Sequence, residues 1–456
     1  MAASSTEKLA AWIAQLKPQD LRPQVRAAAV KSFINYVGCA IGGHGHEATQ
    51  KVLNAYHAIP QAAGTCTVLG NKIKVDPLQA ALVNAVASHI HDYDDTHLST
   101  VIHPTTAVAS ALLAYSDATD TPISGSDFIT ALVAGIEVQC LLGIAVYPSH
   151  YRRGWHITAS VGSIGTAIAV AKAMGLTQEQ LVNTIGIAST QVSGMRIHFG
   201  SHAKPLGVGF AAQSGLQSAY LAKGGMTAAP NSLEGPRGWI ECVCPDTESA
   251  WDKLPKYTES LIDGRGIDGD GVTETEKNTF KPYPCGIVIH PAIDGCSQLK
   301  ADGIGADEIE SIELSVHALV LELTGRKFPK DGLQAKFSVY HGAACGLLFG
   351  KATPTEYTDD AVSQTADLRD KTIATVDGKI RPDECHIVVK TKSGTHEKHV
   401  DHAMGSLNNP MSNEQFQQKF DDQVTPVIGQ DGCTKLFSSI GNIMGAADVR
   451  KVIQVG

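Results

Sequence analysis

Apolar positions recur at helical spacing along most of the chain. Leu9, Trp12, Ile13 and Leu16 share one side of a short first helix. A second helix is predicted over 23–41, with Pro23 in its first turn, Val25, Ala29, Phe33 and Val37 as its apolar stripe, and Gly42-Gly43 as its stop. GTCTVLGNKIKV (64–75) places β-branched residues around a Gly-Asn turn and predicts a small hairpin. From Pro77 the helical pattern resumes. PLQAALVNAVA and TTAVASALLA read as buried helices, and Ser126 is positioned to cap a helix through FITALVAGIEVQCLLGIAV. Thr177 and Gln180 form a capping box before LVNTIGIASTQV, and GFAAQSGLQSAYLAK (209–223) stops at Gly224-Gly225. No internal repeat is visible, which excludes a solenoid.

Around 246–280 the pattern dissolves into charged and Gly-rich text, DGRGIDGDG included, and reads as an interdomain link or an excursion. Beyond it IELSVH (312–317) alternates as a strand, and HIVVKTKSGTHEKHV (386–400) predicts two strands around Ser393-Gly394. LQAKFSVYHGAACGLLFG (333–350) between them is helical, so about 281–400 reads as α+β. From about 411 the chain is helical again and is free to return to the first domain. The expected class is mainly α with an α+β part.

Composition narrows the function. A chain of 456 residues suits two domains, and 43% hydrophobic with 18% charged residues suits a soluble enzyme. Aromatics at 6% beside abundant Ala and Gly favour closely packed helices over a β-sandwich. A net charge of −9 without a basic run excludes a general nucleic-acid binder, while a few local cations still suit an anionic small substrate. The ten cysteines show no metal spacing; Cys242-Val-Cys244 is the one close pair. MAASSTEKLAAWIAQL lacks the pattern of a secretory signal or a membrane span, so a cytoplasmic location is expected, with a mitochondrial one left open and no membrane partner.

The chemistry concentrates in HIHDYDDTHLSTVIHP (89–104). This stretch holds His89, His91, His97 and His103 together with Asp92, Asp94 and Asp95, out of 18 histidines in the whole chain. His and Asp together move protons near neutral pH or bind a metal. A mixed site from His91, Asp92, Asp95 and His97 would suit Zn, Fe or Mn. The plain alternative is partly buried helix histidines and an aspartate bonding turn amides. Four further segments set polar groups in small or apolar text: His156 in GWHITASVG; Arg196, His198, His202 and Lys204 in GMRIHFGSHAKPLG; Lys281 and His290 in KPYPCGIVIHP; Tyr340 and His341 in FSVYHGAA. Phe199 and Trp155 read as core. There is no HExxH, CxxC pair, P-loop, GxGxxG or GxSxG. The residues point to a metal-free lyase or isomerase for a small polyacid. Arg196, Lys204 and His290 would clamp carboxylates, and His103 and His156 would supply acid and base.

ASHIHDYDDTHLSTVIHPT, GWHITASVGSIGTA, RIHFGSHAKPLGVGFAAQSG, KPYPCGIVIHPAID and DHAMGSLNNPMSNEQFQQKF, in this order, resemble the MmgE/PrpD family, which includes 2-methylcitrate dehydratases, cis-aconitate decarboxylases and iminodisuccinate epimerases. The resemblance spans nearly the whole chain. It implies a large all-helical domain built from both chain ends (1–265 and 406–456), a smaller α+β lid domain (266–405), and an active site between them. It also implies a homodimer that needs no metal or organic cofactor. Carried over by position, it implies catalytic roles for His103, His156, Lys204 and Asp92. Substrate contacts would come from Thr96, Arg196 and His290. Cis-aconitate decarboxylases carry a Tyr after the FS segment of the lid; the ungapped match here is His341, with Tyr340 one place earlier, and both are expected at the substrate. A His commonly found just after the KP step is replaced by Gly207. These departures argue against decarboxylation; dehydration of a 2-methylcitrate-like polycarboxylate is the expected reaction, with decarboxylation of cis-aconitate to itaconate and an iminodisuccinate-type epimerisation as the alternatives, and a non-catalytic binding protein is disfavoured by so many ionisable groups in one cleft.

Overall fold

The computed structural model describes residues 3–58 and 64–454. Small residues dictate how its helices meet. Gly135 and Gly165 face one another where the Gly125–Val146 and Ile157–Ala173 helices cross, and a Cβ on either would stand within 2.8 Å of the other's carbonyl oxygen. Around that crossing Pro77–His89, Pro104–Ala118 and Ala203–Lys223 pack into one apolar core. Gly125–Val146 is apolar on every side because core surrounds it. The chain is mainly α, with 19 α-helices among the described residues and a small α+β part.

Helix ends follow the local chemistry closely. Pro23–Gly43 starts at its proline, and Thr177 and Gln180 make the reciprocal capping box. The hairpin pairs Cys66–Thr67 with Lys74–Val75. The Gly125–Val146 helix is capped by Ser124 rather than Ser126; the Ser124 hydroxyl accepts from Asp127 N–H, and the Ser126 hydroxyl only meets that of Ser124. A larger correction concerns 246–280. Thr247–Ile262 is a helix, capped by Asp246, that packs on the first domain's core through Ala250, Leu254 and Leu261. Its sparse apolar stripe and internal Pro255 hide it in the sequence. Only the following stretch is irregular, and there Gly264, Gly266, Gly269 and Gly271 all take positive φ.

A second apolar core runs from Cys285 to Val389. Its four-stranded sheet has the order Thr372–Val376, Ile309–Val316, Cys385–Thr391, Gly394–Val400, the first pair parallel and the others antiparallel. His290–Ala301 and Val339–Phe349 pack on one another, and the former also packs on the sheet. The predicted helix over 333–350 is two pieces, Gly332–Ala335 and Val339–Phe349. The break carries Lys336 and Phe337 inward. After the sheet the chain returns: Asn413–Gly441, kinked at Gly429, packs on Pro23–Gly43. Thr96–His97 pairs with Asn278–Thr279, which ties the His-rich segment to the strand that leads into the smaller unit.

Candidate active site

Three helix N-termini set the site. His103 precedes Pro104 at the start of Pro104–Ala118, His156 stands at the same place before Ile157–Ala173, and Lys204 lies in the first turn of Ala203–Lys223. Their side chains line one cavity of about 50 Å³ with Asp92, Thr96 and Lys281. Helix starts carry unpaired N–H groups and positive potential, so this corner favours an anion. The smaller unit closes it with Gly286, Ile287, Val288, Leu323, Thr324 and Phe337, opposite Val101, Tyr151 and Phe199.

Asp92 is the hub. Its Oδ1 accepts from Lys204 Nζ at 2.5 Å and its Oδ2 from Lys281 Nζ at 3.0 Å. Lys281 also donates to Asp92 O and Cys285 O. Burial opposes ionisation of Asp92, but the two ammonium groups outweigh it and hold the carboxyl well below its usual range. The hub sits on strained backbone, since Asp92 has φ 51° and Val101, on the same loop, has φ 55°. A β-branched residue in that region is costly and persists only where its surroundings enforce it.

His103 is held between two carboxylates. Its Nδ1 lies 3.1 Å from Asp94 Oδ1 and its Nε2 lies 3.6 Å from Asp92 Oδ1. Asp94 is in turn fixed by His89 Nδ1 at 2.8 Å and by the Thr106 hydroxyl at 2.6 Å, which itself accepts from Ser88. Against the cost of burial, His103 and His89 hold Asp94 ionised. Thr158 accepts the backbone N–H of His103. Burial, reinforced by Lys204, pushes the His156 imidazolium far below its usual range, so this ring is neutral near pH 7. Burial also lowers Lys204, and Asp92 opposes that shift.

The cavity thus collects Asp92, Thr96, His103, His156 and Lys204, with Lys281 beside them. Four expected contacts lie elsewhere. Arg196 stands at the rim, where it stacks on Tyr151 and reaches Tyr151 O and Glu322. It lines an outer groove with Ile197 and Arg326 that shares the Phe199, Leu323 and Phe337 wall. His290 is buried behind the cavity edge-on to Tyr283, and burial together with Lys281 drives it down to about 3. His341 is sealed in the smaller unit's core, bonded to Thr365 Oγ1 and Glu356 O. Tyr340 points away beneath Lys327. The register of the Val339–Phe349 helix is the cause, because it turns both residues from the junction. The alternative metal set also separates: Asp95 bonds Thr105 and Asn278, and His97 bonds Thr100 and Glu274. His89, Asp92, Asp94 and His103 do converge, but Asp92 already carries two lysines and Asp94 carries His89 and Thr106. That set is neutralised by the protein's own groups and fits a metal poorly.

The sequence pattern places Phe199 in the core, yet it walls the cavity against Phe337, 5.4 Å away across the two units. Nothing in the local text marks Phe337 or Tyr151. Lys281 and Asp94 had a signal: Lys281 is an ionisable residue in mostly apolar text, and Asp94 lies within the dense His and Asp segment 89–104.

A mainly helical protein with a buried lysine–carboxylate–histidine site at the junction with a smaller α+β unit is the class defined by this geometry. The chain matches the MmgE/PrpD N-terminal domain over residues 7–252 and the MmgE/PrpD C-terminal domain over 283–438, and it belongs to the MmgE/PrpD family. It is 26% identical over 470 residues to the cis-aconitate decarboxylase of Homo sapiens, covering 98% of this chain and 93% of that one. It is 24% identical over 479 residues to the cis-aconitate decarboxylase-like protein oryM of Aspergillus oryzae, covering 98% and 96%. To the 2-methylcitrate dehydratase of Escherichia coli (strain K12) it is 24% identical over 344 residues, covering 72% and 68%.

Proposed function

We propose that this protein is a lyase for a small di- or tricarboxylate, and that its reaction is dehydration of a 2-methylcitrate-like acid. The observation that carries this reading is one cavity holding two lysines on a single aspartate beside two histidines. A substrate carboxylate binds Lys204 by a charge-assisted hydrogen bond, and Lys281, whose three N–H groups are held by Asp92 and Cys285, adds its positive charge. Neutral His156 takes the proton from the carbon next to that carboxylate, and the cations hold the charge that develops. As the carbon–carbon double bond forms, the carbon–oxygen bond breaks, and His103, oriented by Asp94, gives a proton to the departing hydroxyl. Water leaves; His156 has gained one proton and His103 has lost one. With this reading go independence from metals and organic cofactors, a homodimer, and a cytoplasmic location.

The second reading is decarboxylation of a cis-aconitate-like acid, favoured by the apolar wall of Val101, Phe199, Leu323 and Phe337, against which a carboxylate loses hydration before it leaves as carbon dioxide. Proton NMR of the chelator-treated protein with 2-methylcitrate, citrate, cis-aconitate and iminodisuccinate separates them. Dehydration of citrate gives a new vinyl proton signal, and dehydration of 2-methylcitrate at its methyl-bearing carbon turns the methyl doublet into an allylic methyl singlet, with every carboxylate retained; decarboxylation gives itaconate methylene signals. An unchanged spectrum with all four acids overturns both.

A further inference from the structure

Two buried lysines bind carbonyls in matched pairs across the junction of the two units. Lys281 Nζ donates to Asp92 O at 3.0 Å and to Cys285 O at 3.1 Å. Lys336 Nζ donates to the residue before each, His91 O at 3.0 Å and Pro284 O at 2.9 Å. The double staple joins the left-handed turn at Asp92 to the segment that continues into Gly286, Ile287 and Val288 of the cavity wall. Gly286 N–H closes the loop by donating to Lys336 O at 3.0 Å.

Lys336 does not line the cavity, and only 3% of it is exposed. No carboxylate pairs with it among the described residues; its ammonium lies 4.8 Å from the Tyr357 ring. Burial pushes it down to about 7, with Asp92 opposing the shift. Burying a lysine is costly, and this one spends all its named hydrogen bonds on holding two backbone segments in register.

We propose that Lys336 is a positioning residue, which through His91 O and Pro284 O fixes both the turn that presents Asp92 to Lys204 and His103 and the wall at Gly286–Val288. The proposal rests on the lyase reading of the cavity. The substrate does not touch Lys336, so its loss leaves the carboxylate-binding Lys204 in place and misplaces the turn.

The test compares full-length Lys336→Met, which removes charge and donors at similar length, with Lys336→Arg, which keeps them. Misplacement by a fraction of an ångström to an ångström lowers kcat by roughly tenfold to hundredfold, with KM changed by less than about threefold, and Lys336→Arg recovers part of the loss. An unchanged kcat, or a raised KM at unchanged kcat, overturns the proposal. A second readout needs no turnover: the Cε1–Hε1 NMR signal of His103, assigned with His103→Gln, moves in Lys336→Met. A signal that stays in place overturns the positioning role. If the signal moves while no acid is turned over by the wild type, the lyase reading fails alone. Should Lys336→Met not fold, Lys336→Gln, which keeps a donor for one carbonyl, is read by the same two measures.

Discussion

Asp92 has both oxygens occupied by ammonium groups, so it serves as an anchor for cations and not as a base. Asp94 differs: one oxygen is taken by His89 and Thr106, and the other faces His103 Nδ1. It therefore orients the His103 ring. Asp94→Asn keeps the shape and removes the charge, and kcat is expected to fall by about a hundredfold or more with KM little changed. Steady-state kinetics check this, and wild-type turnover in the variant would remove Asp94 from the proton path. At this scale the histidines and lysines near helix starts were legible, because HP, GWH and AKP place an ionisable group where a helix begins. His341 and His290 were not separable from them: a histidine in small-residue text looks alike whether it faces a cavity or its own unit's core, and only helix register decides.

The helices stand close because their contact residues are small. Where Gly125–Val146 crosses Ile157–Ala173, a Cβ added at Gly165 would lie 2.8 Å from both Gly135 O and Gln139 Cβ. Neither the backbone oxygen nor the buried Gln139 can yield cheaply, since Gln139 is itself tied to Pro104 O. Gly165→Val is expected to destabilise the protein by about 2 kcal/mol or more through overpacking, read as a lower urea midpoint. An unchanged midpoint would show that the crossing is loose. The Ala and Gly content made such packing readable from sequence, as did the capping box at Thr177 and the strand pair around Ser393-Gly394. The Thr247–Ile262 helix and the Thr372–Val376 strand were not readable. The first has Pro255 inside it; the second has mostly exposed or half-exposed side chains and is held by parallel pairing with Ile312–Val316, a contact with no local signature.

Taken as a whole, the molecule buries more titratable groups than its core needs, and their opposing shifts decide its response to acid. Burial lowers His89, His150 and His341 to about 4 and His290 to about 3. Each is neutral when folded at a pH where an unfolded histidine, with a pKa of about 6.5, takes a proton. Their contribution to stability is present above about pH 6.5 and is lost as pH falls toward 4, at a slope approaching about 1.4 kcal/mol per pH unit for each ring. Asp95 and Glu137 work the other way. Burial raises both to about 7, so the folded state keeps their protons while the unfolded chain releases them, and stability falls as pH rises from the carboxylate range to 7. Four histidines outweigh two carboxyls between about pH 6.5 and 4.5, so the net slope favours neutral pH. The urea midpoint at pH 5.0 is expected to lie clearly below that at pH 7.0 with an unchanged m-value. A midpoint equal or higher at pH 5.0 would mean that these rings carry protons in the folded protein, and the neutral-core account of the histidines would fall with it.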